Sequence, residues 1–109
     1  NPLATENTEF MTVLFSNEDS IHEEASFYDA LLEIQRLYPD QQFPFQIVYA
    51  SDRNVIRYFN ISTYPTLMVL SGDEIELKLE GTHTKEDIID SLTKTLNMKP
   101  PEITVISED

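Results

Sequence analysis

Apolar and polar stretches alternate along the chain in a way that predicts a short series of strands and helices. Phe10 to Phe15 (FMTVLF) is an apolar, β-branched run with the length of a buried strand. Ser16 to Asp19 breaks it, and Ser20 followed by Glu23 has the spacing of a capping box, which predicts a helix start at Ser20. From Ile21 to Tyr38, apolar residues recur at Ile21, Ala25, Tyr28, Leu31, Leu32, Ile34 and Leu37. Most of these steps are three or four residues, as one face of an amphipathic helix requires. Pro39 stops that helix, and Phe45 to Ala50 (FQIVYA) reads as a second buried strand. Asp52 is placed to cap a short helix whose apolar face is Val55, Ile56 and Phe59. Thr66 to Leu70 is a third strand, and Ser71 to Glu74 is turn chemistry. Ile75, Leu77 and Leu79 then alternate with Glu76 and Lys78, which predicts a hairpin partner with one wet face. Thr84, with Asp87 three residues on, opens a last helix that turns Ile88, Ile89, Leu92 and Leu96 inward.

The predicted order is β-α-β-α-β-β-α, an α/β fold. A strand–helix–strand link makes the first two strands parallel, and the hairpin makes the last two antiparallel. Residues 1–9 read as a flexible lead-in, 10–97 as one domain, and 98–109 as a tail. That tail starts near Pro100-Pro101, carries a short apolar patch from Ile103 to Ile106, and ends acidic.

The chain has 109 residues, 40% of them hydrophobic, which is enough for one modest core. Twenty acidic residues against seven basic ones leave a net charge of −13. Such a surface repels phosphate backbones and anionic headgroups, so nucleic-acid and membrane-surface roles are disfavoured. No stretch approaches the ~18 apolar residues of a membrane span, so this segment is not expected to insert. The absence of cysteine removes disulfides, iron–sulfur clusters, thiolate zinc sites and cysteine nucleophiles together. No cofactor and no metal site is expected.

With the elements in place, several local features resemble the thioredoxin-like superfamily. Asn60-Ile61-Ser62-Thr63-Tyr64-Pro65-Thr66 is similar to the family's segment leading from its second helix into the third strand. Ser71-Gly72-Asp73-Glu74 resembles its hairpin turn, and Glu80-Gly81 with Thr84-Lys85 its entry to the last helix. The resemblance covers roughly residues 10 to 97, and joint order and spacing carry it. It implies a central mixed sheet flanked by helices and a cis peptide bond before Pro65, facing the family's catalytic loop. It also implies that the Cys-x-x-Cys site falls at Ser20-Ile21-His22-Glu23. A thiolate at a helix N-terminus is a nucleophile near neutral pH, whereas serine has no comparable acidity and forms no disulfide. The buried aspartate of active thioredoxins would fall at Leu14, and the tryptophan beside the motif is absent. The resemblance therefore points to a redox-inactive member, not an enzyme.

What remains is a non-catalytic interaction module. Its partner, a protein or peptide, would dock in the groove between Asp19, Ser20, Ile21 and His22 on one side and Tyr64 and Pro65 on the other. A second reading is an acidic calcium-binding or buffering protein, as in calsequestrin, whose thioredoxin-like domains bind calcium diffusely. A third is an enzyme using Ser20 or His22, although two residues along a helix the pair would face apart. His22, Glu23 and Glu24, with Glu18 and Asp19, form the densest set of potential ligands, but neighbouring helix positions diverge around the axis. They read as a solvated acidic helix start. The polar lead-in and an opening residue other than Met suggest a stem left after removal of a secretion or lipoprotein signal. The expected location is extracytoplasmic: the bacterial cell surface or secreted. Asn60-Ile61-Ser62 also fits a glycosylation sequon, relevant only in a eukaryotic secretory setting.

Overall fold

The computed structural model describes residues 2–3 and 10–99. A four-stranded sheet runs through it in the order β2-β1-β3-β4, with β1 Phe10–Ser16, β2 Phe45–Tyr49, β3 Thr66–Ser71 and β4 Glu74–Glu80. β1 pairs parallel with β2 and antiparallel with β3, and β3 pairs antiparallel with β4. The two central strands are buried on both faces, which is why FMTVLF and TLMVL are continuous apolar runs and not alternating ones.

Helices α1 (Ala25–Leu37) and α3 (Lys85–Thr95) pack together on one face of the sheet. Leu14, Leu67 and Val69 meet Phe27, Ala30, Leu31, Ile34, Ile88 and Leu92 there in the larger core cluster. The opposite face is served by α2 (Arg53–Phe59). Val13, Phe15, Val48, Met68 and Leu70 pack with Val55, and Ile56, Phe59, Ile61 and Tyr64 close over them. Leu3, in the stretch expected to be a lead-in, also packs on this second cluster. Met98, expected to begin the tail, packs on the first.

Three local expectations change once the chain folds. The buried stripe of α1 is Phe27, Ala30, Leu31 and Ile34, while Leu32 is 61% exposed. At about 100° per residue, Leu32 lies far around the axis from Leu31 and Ile34, so one face cannot hold all three. In β4 the register shifts opposite Val69/Leu70, so that Leu70 faces Ile75 while Val69 faces Leu77. Glu76 is the extra residue of a bulge, which sends Ile75 to the other face of the sheet and leaves it half exposed. Asp52 stands at the N-cap of α2, but its side chain makes no capping bond. That helix is closed at its other end, where Asn60 adopts a left-handed conformation and Ile61 N–H reaches Ile56 C=O at 3.0 Å. Thr84 does cap α3, its hydroxyl accepting from Asp87 N–H at 3.1 Å.

Candidate functional site

The carboxyl ends of β1 and β2 open together at one edge of the sheet, and the chain leaving β1 folds back over them. Glu18–Glu24 forms 3-10 turns, broken at Ser20, whose backbone (φ −130°, ψ 31°) is not helical. Regular α-helix begins only at Ala25. The predicted helix start at Ser20 is therefore displaced, and the capping residue is Asn17. Its side-chain oxygen accepts from Asp19 N–H at 3.0 Å, while Ser20 Oγ reaches only the Asn17 carbonyl, at 3.5 Å. Asn17→Ala should accordingly cost about 1 kcal/mol, and Ser20→Ala should stay within about 0.5 kcal/mol of the parent. Urea midpoints of the two variants check this ranking, and a larger loss from Ser20→Ala would refute it.

The cause of the tight turns is Glu24. This residue is fully buried, and both carboxyl oxygens are used. One accepts from Ser16 Oγ at 2.5 Å and the other from Asn17 N–H at 3.0 Å. Ser16 Oγ also bonds the Tyr28 hydroxyl at 2.8 Å. A buried carboxyl is tolerated only when its acceptors are satisfied, and every buried side-chain polar atom among the described residues has a partner. Reaching back from position 24 to positions 16 and 17 pulls the intervening segment into compact turns. Burial pushes the Tyr28 hydroxyl above its ordinary value of 10.0; the bond with Ser16 opposes that rise, and neighbouring Glu24 and Tyr49 reinforce it. The neutral phenol is the form favoured in the fold.

Sequence reasoning missed this network, although a signal existed. Glu24 sits three residues before Phe27 and seven before Leu31, so extending the buried stripe of α1 backwards lands on it. The polar group beneath the turns is thus Ser16 with Glu24, whereas Leu14 lies in the apolar core.

Asn17 also lines an open cavity of about 350 Å³, together with Glu18, Asp19, Ala50, Ser51 and Arg53, so that Asp19 alone of the six residues singled out in the sequence is among its walls. Ser51 Oγ donates to Glu18 across it at 3.5 Å. Of the six residues singled out in the sequence, Asp19, Ile21 and His22 are exposed and Ser20 is half-buried. Tyr64 is half-buried against the second core cluster and Pro65 is buried, with a cis Tyr64–Pro65 bond. Burial raises the Tyr64 hydroxyl above its ordinary value, and the charge of Arg53 pulls it back. No hydrogen bond joins Ser20 to His22 among the described residues. Nor does any group of three or more His, Asp or Glu side chains there stand close enough to hold a metal ion.

A mixed sheet with this strand order, helices on both faces, a cis-proline at the start of β3 and no thiol defines a thioredoxin-like domain without the redox centre. The chain superposes on thioredoxin-2 of the malaria parasite, a component of its protein secretion machinery, with a TM-score of 0.67 at 13% identity. That match covers 83% of this chain and 86% of the other. The J-Trx1 fragment of ERdj5 superposes with a TM-score of 0.64 at 19% identity, over 83% of this chain and 44% of that one. No family profile matches the sequence. By sequence the chain belongs to the family of the Pal-related lipoprotein of Bacillus subtilis (strain 168). The two are 37% identical over 86 residues, spanning 78% of this chain and 67% of the relative.

Proposed function

We propose that the domain is a non-catalytic binding module of the cell envelope. It takes a protein or peptide partner along the groove between Asp19–His22 and Tyr64–Pro65. The observation that carries this reading is the open cavity at the carboxyl ends of β1 and β2, which Asp19 lines together with Asn17, Glu18, Ala50, Ser51 and Arg53. Asn17 in its wall is held by the buried Glu24 carboxylate, and a wall fixed in advance lowers the ordering cost of binding. Around it Glu18, Asp19, Ile21, His22 and Arg53 are exposed and the aromatic Tyr64 is half-buried. Such mixed polar and aromatic surfaces suit protein partners. A non-catalytic role is supported by the missing thiol and by the bonding of Ser20, whose hydroxyl reaches the Asn17 carbonyl and, among the described residues, no basic side chain. The envelope location rests on kinship with a lipoprotein, and among the described residues no helix is long and apolar enough to cross a membrane.

The test is site-specific photo-crosslinking in cells, with the photoreactive group at Asp19, His22 or Tyr64 and controls at Asp73 and Glu86. The groove positions are expected to capture the same partner and the controls none. Tyr64→Ala should reduce capture from position 19 about tenfold, as loss of an aromatic anchor does. Equal capture at the control positions, or no effect of Tyr64→Ala, would place the partner elsewhere.

A further inference from the structure

Helix α2 runs against the charge of the chain. Acidic residues outnumber basic ones by 20 to 7, yet α2 reads Arg53-Asn54-Val55-Ile56-Arg57-Tyr58-Phe59, with two arginines and no acidic residue. Arg53 and Arg57 are four positions apart, about 40° around the axis, so they share a face. Val55 lies two positions from each, about 200° around, and is the buried residue of the helix. Both arginines therefore point away from the core. Both are exposed, as are Asn54 and Tyr58.

Most other cations are paired within the fold. Arg36 and Lys85 meet Glu33, Lys78 meets Glu80, and Lys94 meets Asp90. Among the described residues no ion pair reaches Arg53 or Arg57, although Asp52 precedes the helix and Glu18 and Asp19 line the same cavity as Arg53. Lys99 lacks one too, as a single charge beyond α3. Tyr58 adds an aromatic surface that is 55% exposed, its ring edge-on to Phe59 at a centroid distance of 5.0 Å. A ring already held by a neighbour costs little to order on binding. Arginine and tyrosine are also the side chains in which the centres of protein interfaces are enriched.

We propose that this outer face of α2 docks an acidic segment of a protein partner, which sets carboxylates on Arg53 and Arg57 and an apolar side chain on Tyr58. Charge complementarity selects that occupant. A guanidinium takes a carboxylate through two parallel N–H···O bonds, while the net charge of −13 repels an acidic segment from the rest of the surface and so fixes its place. A second copy of the chain would bring the same self-repulsion with its carboxylates. A phosphate polymer gains affinity from a run of cations, and α2 offers only two. The proposal rests on the reading of the domain as a protein-binding module and adds to it a contact of different chemistry.

The test is a nuclear magnetic resonance titration of the purified protein that reads the arginine Nε–H signals. The probe is the peptide acetyl-Glu-Glu-Phe-Glu-Glu-amide, and acetyl-Gln-Gln-Phe-Gln-Gln-amide is its neutral control. The signals of Arg53, Arg57 and the Tyr58 ring are expected to move with the acidic peptide and not with the control. Arg36, held by Glu33, should respond to neither. The double variant Arg53→Gln/Arg57→Gln should bind the acidic peptide about tenfold more weakly or worse, with an unchanged circular dichroism spectrum. No movement at Arg53 and Arg57, equal movement at Arg36, or undiminished affinity in the double variant would overturn the proposal. Movement with inorganic polyphosphate but not with the peptide would overturn it in favour of a phosphate polymer, and movement on concentrating the protein alone in favour of a second copy. Capture at positions 19, 22 and 64 tests the groove and this titration tests α2, so a failure of one is told apart from a failure of the other.

Discussion

Glu24→Ala is expected to lower the unfolding free energy by about 4 kcal/mol. The change removes the acceptor of two hydrogen bonds, from Ser16 Oγ and Asn17 N–H, at a site fully shielded from water. A deleted partner leaves buried donors unsatisfied, which costs more than the bond itself was worth. It also empties the space that the side chain filled beneath the 3-10 turns. Glu24→Gln should be milder, at about 1–2 kcal/mol. The amide oxygen can still accept from Asn17 N–H, and the amide nitrogen can donate to Ser16 if the serine hydroxyl turns to donate to Tyr28. Urea unfolding at constant m-value measures both. If Gln proved as damaging as Ala, the hydroxyl does not reorient and the network does not adapt to the amide. If Ala cost under 1 kcal/mol, Glu24 does not hold the loop at all. Because Glu24 ties down Asn17 at the start of the turns, Glu24→Ala is also expected to loosen residues 17–23, detectable as faster amide exchange there.

Phe15→Ala should cost about 3–5 kcal/mol. Phe15 is fully buried, and its ring stands 5.6 Å from that of Phe59 at an angle of 53°. The sheet face it belongs to is covered by α2, a helix of seven residues in which only Val55 is buried. A helix that short has little stability of its own. It stays helical because Val55, Ile56 and Phe59 rest on Phe15, Val48 and Met68. Truncating Phe15 therefore leaves a cavity and also loosens the element that carries Arg53. Loss of amide protection across residues 53–59, beyond the global change, is the expected signature in hydrogen exchange. Phe59→Ala should cost less, since that ring is only half-buried. A Phe15→Ala variant within 1.5 kcal/mol of the parent, with α2 protection intact, would show that the helix is held by something else.

The reading of the sequence was strongest where a pattern is local. The FMTVLF and TLMVL runs became the two central strands because only strands buried on both faces tolerate uninterrupted apolar residues. Thr84 followed by Asp87 marked the start of α3 because a capping bond joins residues three apart. The same logic misled at Ser20 and Glu23. That spacing is necessary for a capping box but does not exclude a competing local cap, and Asn17 supplied one. In β4, alternation put Ile75 with Leu77 and Leu79, and a single bulged residue changed its face. Strand periodicity has no way to register an extra residue, because the bulge is defined by the partner strand.

The order of elements, the parallel and antiparallel senses of the linked strands and the loss of thiol chemistry are all written in the residues taken in order. Each of these follows from short-range periodicity, from link length or from which atoms are present. The fate of individual polar groups is set by packing between distant segments. Glu24 reads as one acidic residue among several until the end of β1 brings Ser16 and Asn17 to its carboxyl oxygens. Gln41 reads as a loop residue until folding sets it against Lys99, 58 positions away. The cavity belongs to the same class, since it is walled by residues from separate parts of the chain. The physical reason is common to all of them. Burial of a polar group and the shape of a cavity are properties of surfaces brought together from distant segments, whereas propensity and periodicity describe one segment at a time.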